Sequence, residues 1–143
     1  MTHDDADRYK NKHPKQAVPH PAAAASLKSI VKNGMISCAD AHRIARNTGL
    51  PPSEIGKAID LLEYRITACQ MGLFGYPGKK TVKPMEKVPA PLRAAITDAI
   101  EGKSIPCVAC WRIAAEHSIP KIKVASACEA LGVKIGPCQL GAF

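Results

Sequence analysis

The sequence predicts a mainly helical α+β fold in which one small unit occurs twice. Three observations support this prediction. A gapless shift of 69 residues places residues 36–74 on residues 105–143 with thirteen identical positions. Apolar residues before and within both copies recur at helical spacing. Aromatic residues make up only 4% of the chain, so Ala, Ile, Leu and Val must build small cores.

The first helix of each unit is predicted at residues 22–32 and 91–101, where the apolar residues lie on one face. Each segment ends at a helix-stopping residue. In the first copy the stop is the pair Asn33 and Gly34, and in the second copy it is Gly102.

A short extended piece and a second helix follow in each unit. The extended pieces are residues 35–37 and 104–106. Ser37 has Asp40 three residues later, which resembles a capping box at a helix start. In the second copy Pro106 precedes the helix, close to a position where proline is tolerated.

A turn then leads to the third helix, at residues 52–60 and 121–129. Gly49 is expected to turn the chain with a positive φ. Ser118 replaces this glycine in the second copy and is expected to adopt the same turn at a modest cost in free energy. The residues expected to face inward around the turns are Ile44, Ala45, Leu50, Ile55 and Ala58, and Ile113, Ala114, Ile119, Val124 and Ala127.

An extended tail ends each copy, at residues 65–74 and 134–143. We expect the tail to pair with the short extended piece before the second helix and so to form a small sheet. The predicted domains are a flexible N-terminal arm at 1–20, unit one at 21–76, a solvated basic linker at 77–88 and unit two at 89–143.

Residues 44–58 and 113–127 resemble the bacterial helix-turn-helix of transcriptional regulators, and the added strands make each unit similar to a winged helix. The resemblance covers about twenty residues in each copy. It implies that the third helix enters the major groove of double-stranded DNA and that the second helix crosses the phosphate backbone. Two such units would form a covalent pseudo-dimer, and if a two-fold axis relates them, their half-sites would lie about 34 Å apart.

The charge favours the same class of partner. The net charge is +8, from 20 Lys and Arg against 12 Asp and Glu, and an excess of this kind favours nucleic acid, although solubility alone is an alternative. The resemblance implies that Arg43 and Arg112, identical in both copies, bind phosphates, because they lie on the helix that crosses the backbone in that family. The candidate DNA-binding residues are Arg43, Ser53, Lys57, Lys79, Lys80, Arg112, Lys121, Lys123 and Ser126.

The third helices lack the side chains that usually read bases. Neither presents Arg, Asn or Gln at an outward position, and the outward positions include Asp60 and Glu129. A module that binds a protein partner therefore stays open as an alternative function.

The cysteines suggest a second alternative, a thiol or metal sensor. Cys38 and Cys107 begin the second helices, and Cys69 and Cys138 lie in the tails, so strand pairing would bring each pair together. Two such pairs could form two Cys₂ centres or one Cys₄ site. The favoured interpretation is that they are small buried hydrophobes, and Cys128 is expected in the core.

No catalytic constellation is recognisable, so neither an enzyme nor a cofactor is expected. The first twenty residues lack the apolar core of a secretory signal, and no apolar run reaches the ~20 residues of a membrane span. We therefore expect a cytoplasmic protein with no membrane partner, and the oligomeric state stays open.

Overall fold

The computed structural model describes His13, Pro14, residues 17–77 and residues 81–142. Within those residues the chain forms six α-helices and four short strands, so the mainly helical α+β class is confirmed. No helix in this described part is long and apolar enough to cross a membrane. The chain divides into two compact units. The first runs to Cys69 and adds the residues from Gln139 onward, and the second comprises Gln70–Cys138.

The first unit is a three-helix cluster with a two-stranded sheet. Its helices pack against one another, and β1 pairs with β2 in parallel, with Ile36 opposite Ile66. Its fully buried side chains include Leu27, Ile44 and Ile55, which come from the three different helices. The elements are α1 (Pro21–Ile30), β1 (Met35–Ser37), α2 (Cys38–Thr48), α3 (Pro52–Leu61) and β2 (Arg65–Thr67).

The second unit repeats this order of elements. Its strands also pair in parallel, with Ile105 opposite Ile135. The predicted pairing of the extended piece with the tail is therefore confirmed in both copies, over two or three residues per strand. The elements are α4 (Ala90–Ala99), β3 (Ser104–Ile105), α5 (Cys107–Glu116), α6 (Lys121–Leu131) and β4 (Lys134–Ile135).

The second helices begin at the predicted residues. Ser37 is the N-cap of α2, and its Oγ accepts a hydrogen bond of 3.1 Å from the backbone N–H of Asp40. The carboxylate of Asp40 pairs with Arg43 at 3.0 Å. Pro106 occupies the N-cap of α5 with φ −62° and makes no side-chain capping bond. A serine cap of this kind stabilises a helix by about 1 kcal/mol.

The turns between the second and third helices of both units use a left-handed residue. Gly49 has φ 73°, as predicted, and Ser118 has φ 53° at the equivalent position. This conformation destabilises an L-residue by about 1–2 kcal/mol relative to glycine. The inward positions predicted around the two turns are buried, except that Leu50 and Ile119 are half-buried.

The tails differ from the prediction of extended segments at 65–74 and 134–143. Only Arg65–Thr67 and Lys134–Ile135 are strands. After Cys69 the tail of the first copy belongs to the second unit, whereas the residues from Gln139 onward belong to the first unit. The two copies have therefore exchanged tails, and we call residues 70–77 and 139–142 the exchanged tails.

Each exchanged tail packs on the third helix of the unit that receives it. In the first unit Leu140 is 2% exposed and its backbone lies directly over Gly56 of α3. A Cβ at Gly56 would overlap the carbonyl oxygen of Leu140 and lie 2.6 Å from its carbonyl carbon. In the second unit Met71 is fully buried, and Gly72 lies against the side chain of Ile122 on α6.

The described part of the predicted linker is mostly exposed, as expected of a solvated segment, but it is anchored to the second unit at one buried residue. Val82 is 4% exposed, and its N–H donates to the carbonyl of Gly72 at 3.3 Å. The N–H of Met85 donates to the carbonyl of Ser126 at 3.0 Å. Val82 therefore anchors this segment, while the neighbouring Lys83 and Lys87 are exposed.

Candidate nucleic-acid interface

The two arginines identical in both copies are exposed on the second helices. The side chain of Arg43 is 53% exposed and that of Arg112 is 61% exposed. Each lies near a carboxylate on its own helix. Arg43 Nη2 is 3.0 Å from Asp40 Oδ1, and Arg112 Nε is 3.8 Å from Glu116 Oε1. Because exposed ion pairs of this kind are weak, both guanidinium groups remain available to a phosphate.

The third helix of the first unit presents fewer side chains than predicted. Ser53 is exposed and Lys57 is half-buried. Asp60, predicted to face outward, is 5% exposed, and its Oδ2 lies 2.9 Å from Nε2 of His13. The prediction for Asp60 is wrong because this side of α3 is covered, by His13 at Asp60 and by Leu140 at Gly56.

The third helix of the second unit has one freely exposed basic candidate. Lys123 is exposed, whereas Lys121 is half-buried with its Nζ 4.4 Å from the centroid of the Trp111 ring. This cation–π contact stabilises the pair by about 0.5–1 kcal/mol and ties Lys121 to α5. Ser126 is half-buried, and its backbone carbonyl is occupied by the N–H of Met85.

Two of the candidates, Lys79 and Lys80, lie outside the described residues. Exposed basic side chains that the sequence analysis passed over include three in the first unit: Lys28, Lys32 and Arg46. Comparison of the two copies identifies only residues that both copies share. These three were missed because they have no basic counterpart 69 positions later. A search for every basic residue on the polar faces of the predicted helices, rather than for those that are basic in both copies, would have found them.

The thiols are mostly buried. Five of the six cysteines are buried, and Cys138 is partly exposed. Cys128 lies in the core, as predicted, and its thiol is hydrogen-bonded to that of Cys110. This hydrogen bond, with burial added to it, raises the pKa of the Cys110 thiol well above its usual range. In the part of the chain that the structure describes, no group of three or more His, Cys, Asp or Glu side chains could hold a metal ion.

Comparison of this chain with models of known families, with curated proteins and with solved structures found no match.

Proposed function

We propose that the protein binds double-stranded DNA through its two helix-turn-helix units and acts as a transcriptional regulator. The observation that carries the proposal is the exposure of Arg43 and Arg112 at the same position of both copies. In helix-turn-helix proteins the helix before the reading helix crosses the phosphate backbone, so arginines there would bind phosphates on both sides of a site. The net charge of +8 supports a polyanionic partner.

In this proposal each unit is a winged-helix-like variant. The sheets β1–β2 and β3–β4 pair the strand before α2 or α5 with the strand that follows α3 or α6. Because the exchanged tails cover one side of α3 and α6, few side chains remain to read bases. We therefore expect binding that depends strongly on salt and discriminates weakly between sequences.

The test is a fluorescence anisotropy titration of a labelled random-sequence duplex at several salt concentrations. The test variant carries Arg43→Ala with Arg112→Ala. The matched control carries Arg93→Ala with Lys103→Ala, which removes the same charge from exposed residues outside both helix-turn-helix segments. Each lost phosphate contact flattens the log–log salt slope by about 0.9, so the test variant should lose about 1.8 and the control should keep the wild-type slope.

Two results would overturn the proposal. One is the absence of salt-dependent binding by the wild-type protein. The other is an equal change of slope in the test and control variants, which would mean that net charge alone attracts the duplex. Circular dichroism of all variants verifies that folding is unchanged, as expected for exposed side chains.

A further inference from the structure

A groove with a volume of about 480 Å³ lies within the first unit, where the end of α1, the strands β1 and β2 and the start of α2 meet. This volume falls in the range of small-molecule sites. The groove brings together side chains from these elements and from the turn after α1. Two of the side chains, Lys32 and Arg43, are cationic. Its polar lining comprises Ser29, Lys32, Ser37, Asp40, Arg43 and Thr67.

The charge of this lining favours an anion. Arg43 Nη2 lies 3.0 Å from Asp40 Oδ1, so the carboxylate is balanced and the guanidinium is held at the groove. A guanidinium has five N–H donors, which leaves others for a ligand. Lys32 is exposed and adds the uncompensated positive charge.

The groove also has an apolar side. Met35 lines it with 42% of its surface exposed, and Ile30 is half-buried beside the polar residues. Methionine adapts its shape to varied apolar ligands. A cationic end and an apolar wall in one small groove fit a ligand that carries an anionic group on an apolar body.

The second copy shows that the fold does not require these polar groups. It has the same helices and the same strand pairing, and it keeps Arg112 where the first copy has Arg43. The other five polar positions of the groove all differ: Ser29 corresponds to Asp98, Lys32 to Glu101, Ser37 to Pro106, Asp40 to Ala109 and Thr67 to Gly136. The polar lining is therefore a property of the first unit alone, although one member, Ser37, also caps α2.

We propose that this groove binds a small organic anion, a carboxylate or phosphate carried on an apolar group. The anionic group lies between Lys32 and Arg43 and accepts hydrogen bonds from their N–H groups. The apolar group packs on Met35. A consequence that does rest on the proposed function is competition, because a ligand on Arg43 would withdraw that side chain from DNA.

The test is a titration of the ¹⁵N-labelled full chain with phenyl phosphate in the absence of DNA, followed by amide chemical shifts. The expected shifts are at Ser37, Asp40 and Thr67. Inorganic phosphate and benzyl alcohol, which each carry half of the ligand's chemistry, should bind at least tenfold more weakly than phenyl phosphate.

Two variants make the assignment specific. Lys32→Glu, which installs the residue found in the second copy, should weaken phenyl phosphate binding at least tenfold. Lys103→Glu changes the net charge equally at an exposed site of the second unit and should leave the affinity within twofold.

Any of three results would overturn the proposal. These are an absence of shifts around the groove, equal effects of Lys32→Glu and Lys103→Glu, and equal affinity for inorganic phosphate and phenyl phosphate. Because no DNA is present, these outcomes are independent of the DNA titration.

Discussion

The close approach of Leu140 to Gly56 predicts that Gly56→Ala destabilises the protein, although such a change normally strengthens a helix. In an exposed helix interior, replacing glycine by alanine stabilises by about 0.5–1 kcal/mol. Here the new Cβ would overlap the backbone of Leu140. A rotamer change cannot relieve a clash with backbone atoms, so the exchanged tail must leave its position on α3.

The magnitude follows from what the tail buries. Leu140 is 2% exposed, and full burial of a leucine side chain stabilises by about 1.5–3 kcal/mol. Subtracting the gain in helix propensity of about 0.5–1 kcal/mol leaves a net destabilisation of about 0.5–2.5 kcal/mol. The penalty is attributable to the tail alone, so it should vanish when the tail is removed.

Urea unfolding followed by circular dichroism measures this effect. The same substitution is made in the full chain and in a chain that ends at Cys138, which completes a double-mutant cycle. In the shortened chain Gly56→Ala should stabilise by about 0.5–1 kcal/mol. Stabilisation of the full chain by Gly56→Ala, or equal destabilisation of both chains, would refute the reasoning.

Two further predictions concern the turn and the thiols. Ser118→Gly should stabilise the protein by about 0.5–1 kcal/mol in urea unfolding, because it relieves a left-handed φ of 53°, and Gly49→Ser should destabilise it by a similar amount; a loss of stability from Ser118→Gly would contradict this. A brief iodoacetamide pulse on the native protein at pH 7, read by mass spectrometry, should label Cys138 first, because the other five thiols are buried and the pKa of Cys110 is raised. Prompt labelling of Cys110 would count against the buried thiol pair.

Local features of the fold could be predicted because they depend on neighbours in the sequence. Ser37 caps the helix that starts one residue later, and Gly49 turns between two helices. The strand pairing also followed, because a short extended piece and a short tail both recur 69 residues later. The repeat therefore made it possible to predict the order and pairing of elements in a whole unit, and not only its local turns and caps.

The exchange of tails could not be predicted, and the reason is the repeat itself. Cys69 and Gln70 match Cys138 and Gln139, and the buried Met71 corresponds to Leu140. Either tail offers a buried apolar side chain at the same position of the repeat, so the sequence does not distinguish the two pairings. One difference between the copies agrees with the observed pairing. Gly56, over which the backbone of Leu140 lies, corresponds to Ala125 in the second copy.

The errors at the candidate site have the same origin in distant contacts. Helical spacing places Asp60 outside, but its partner His13 lies 47 residues earlier. Lys121 stacks on Trp111, which corresponds to His42 and is not a repeated residue. The groove of the first unit escaped notice because Lys32 is absent from the second copy.

The exchanged tails also reverse the usual order of folding during synthesis. Domains generally fold from the N-terminus as the chain emerges, at about 5–20 residues per second. The first unit includes residues up to Cys69 and residues from Gln139 onward, a gap of about 70 residues. At that rate roughly 4–14 s pass between the two parts. The unit that the ribosome begins first is therefore completed last, and in the interval α3 presents an uncovered Gly56 to the nascent chain and its chaperones.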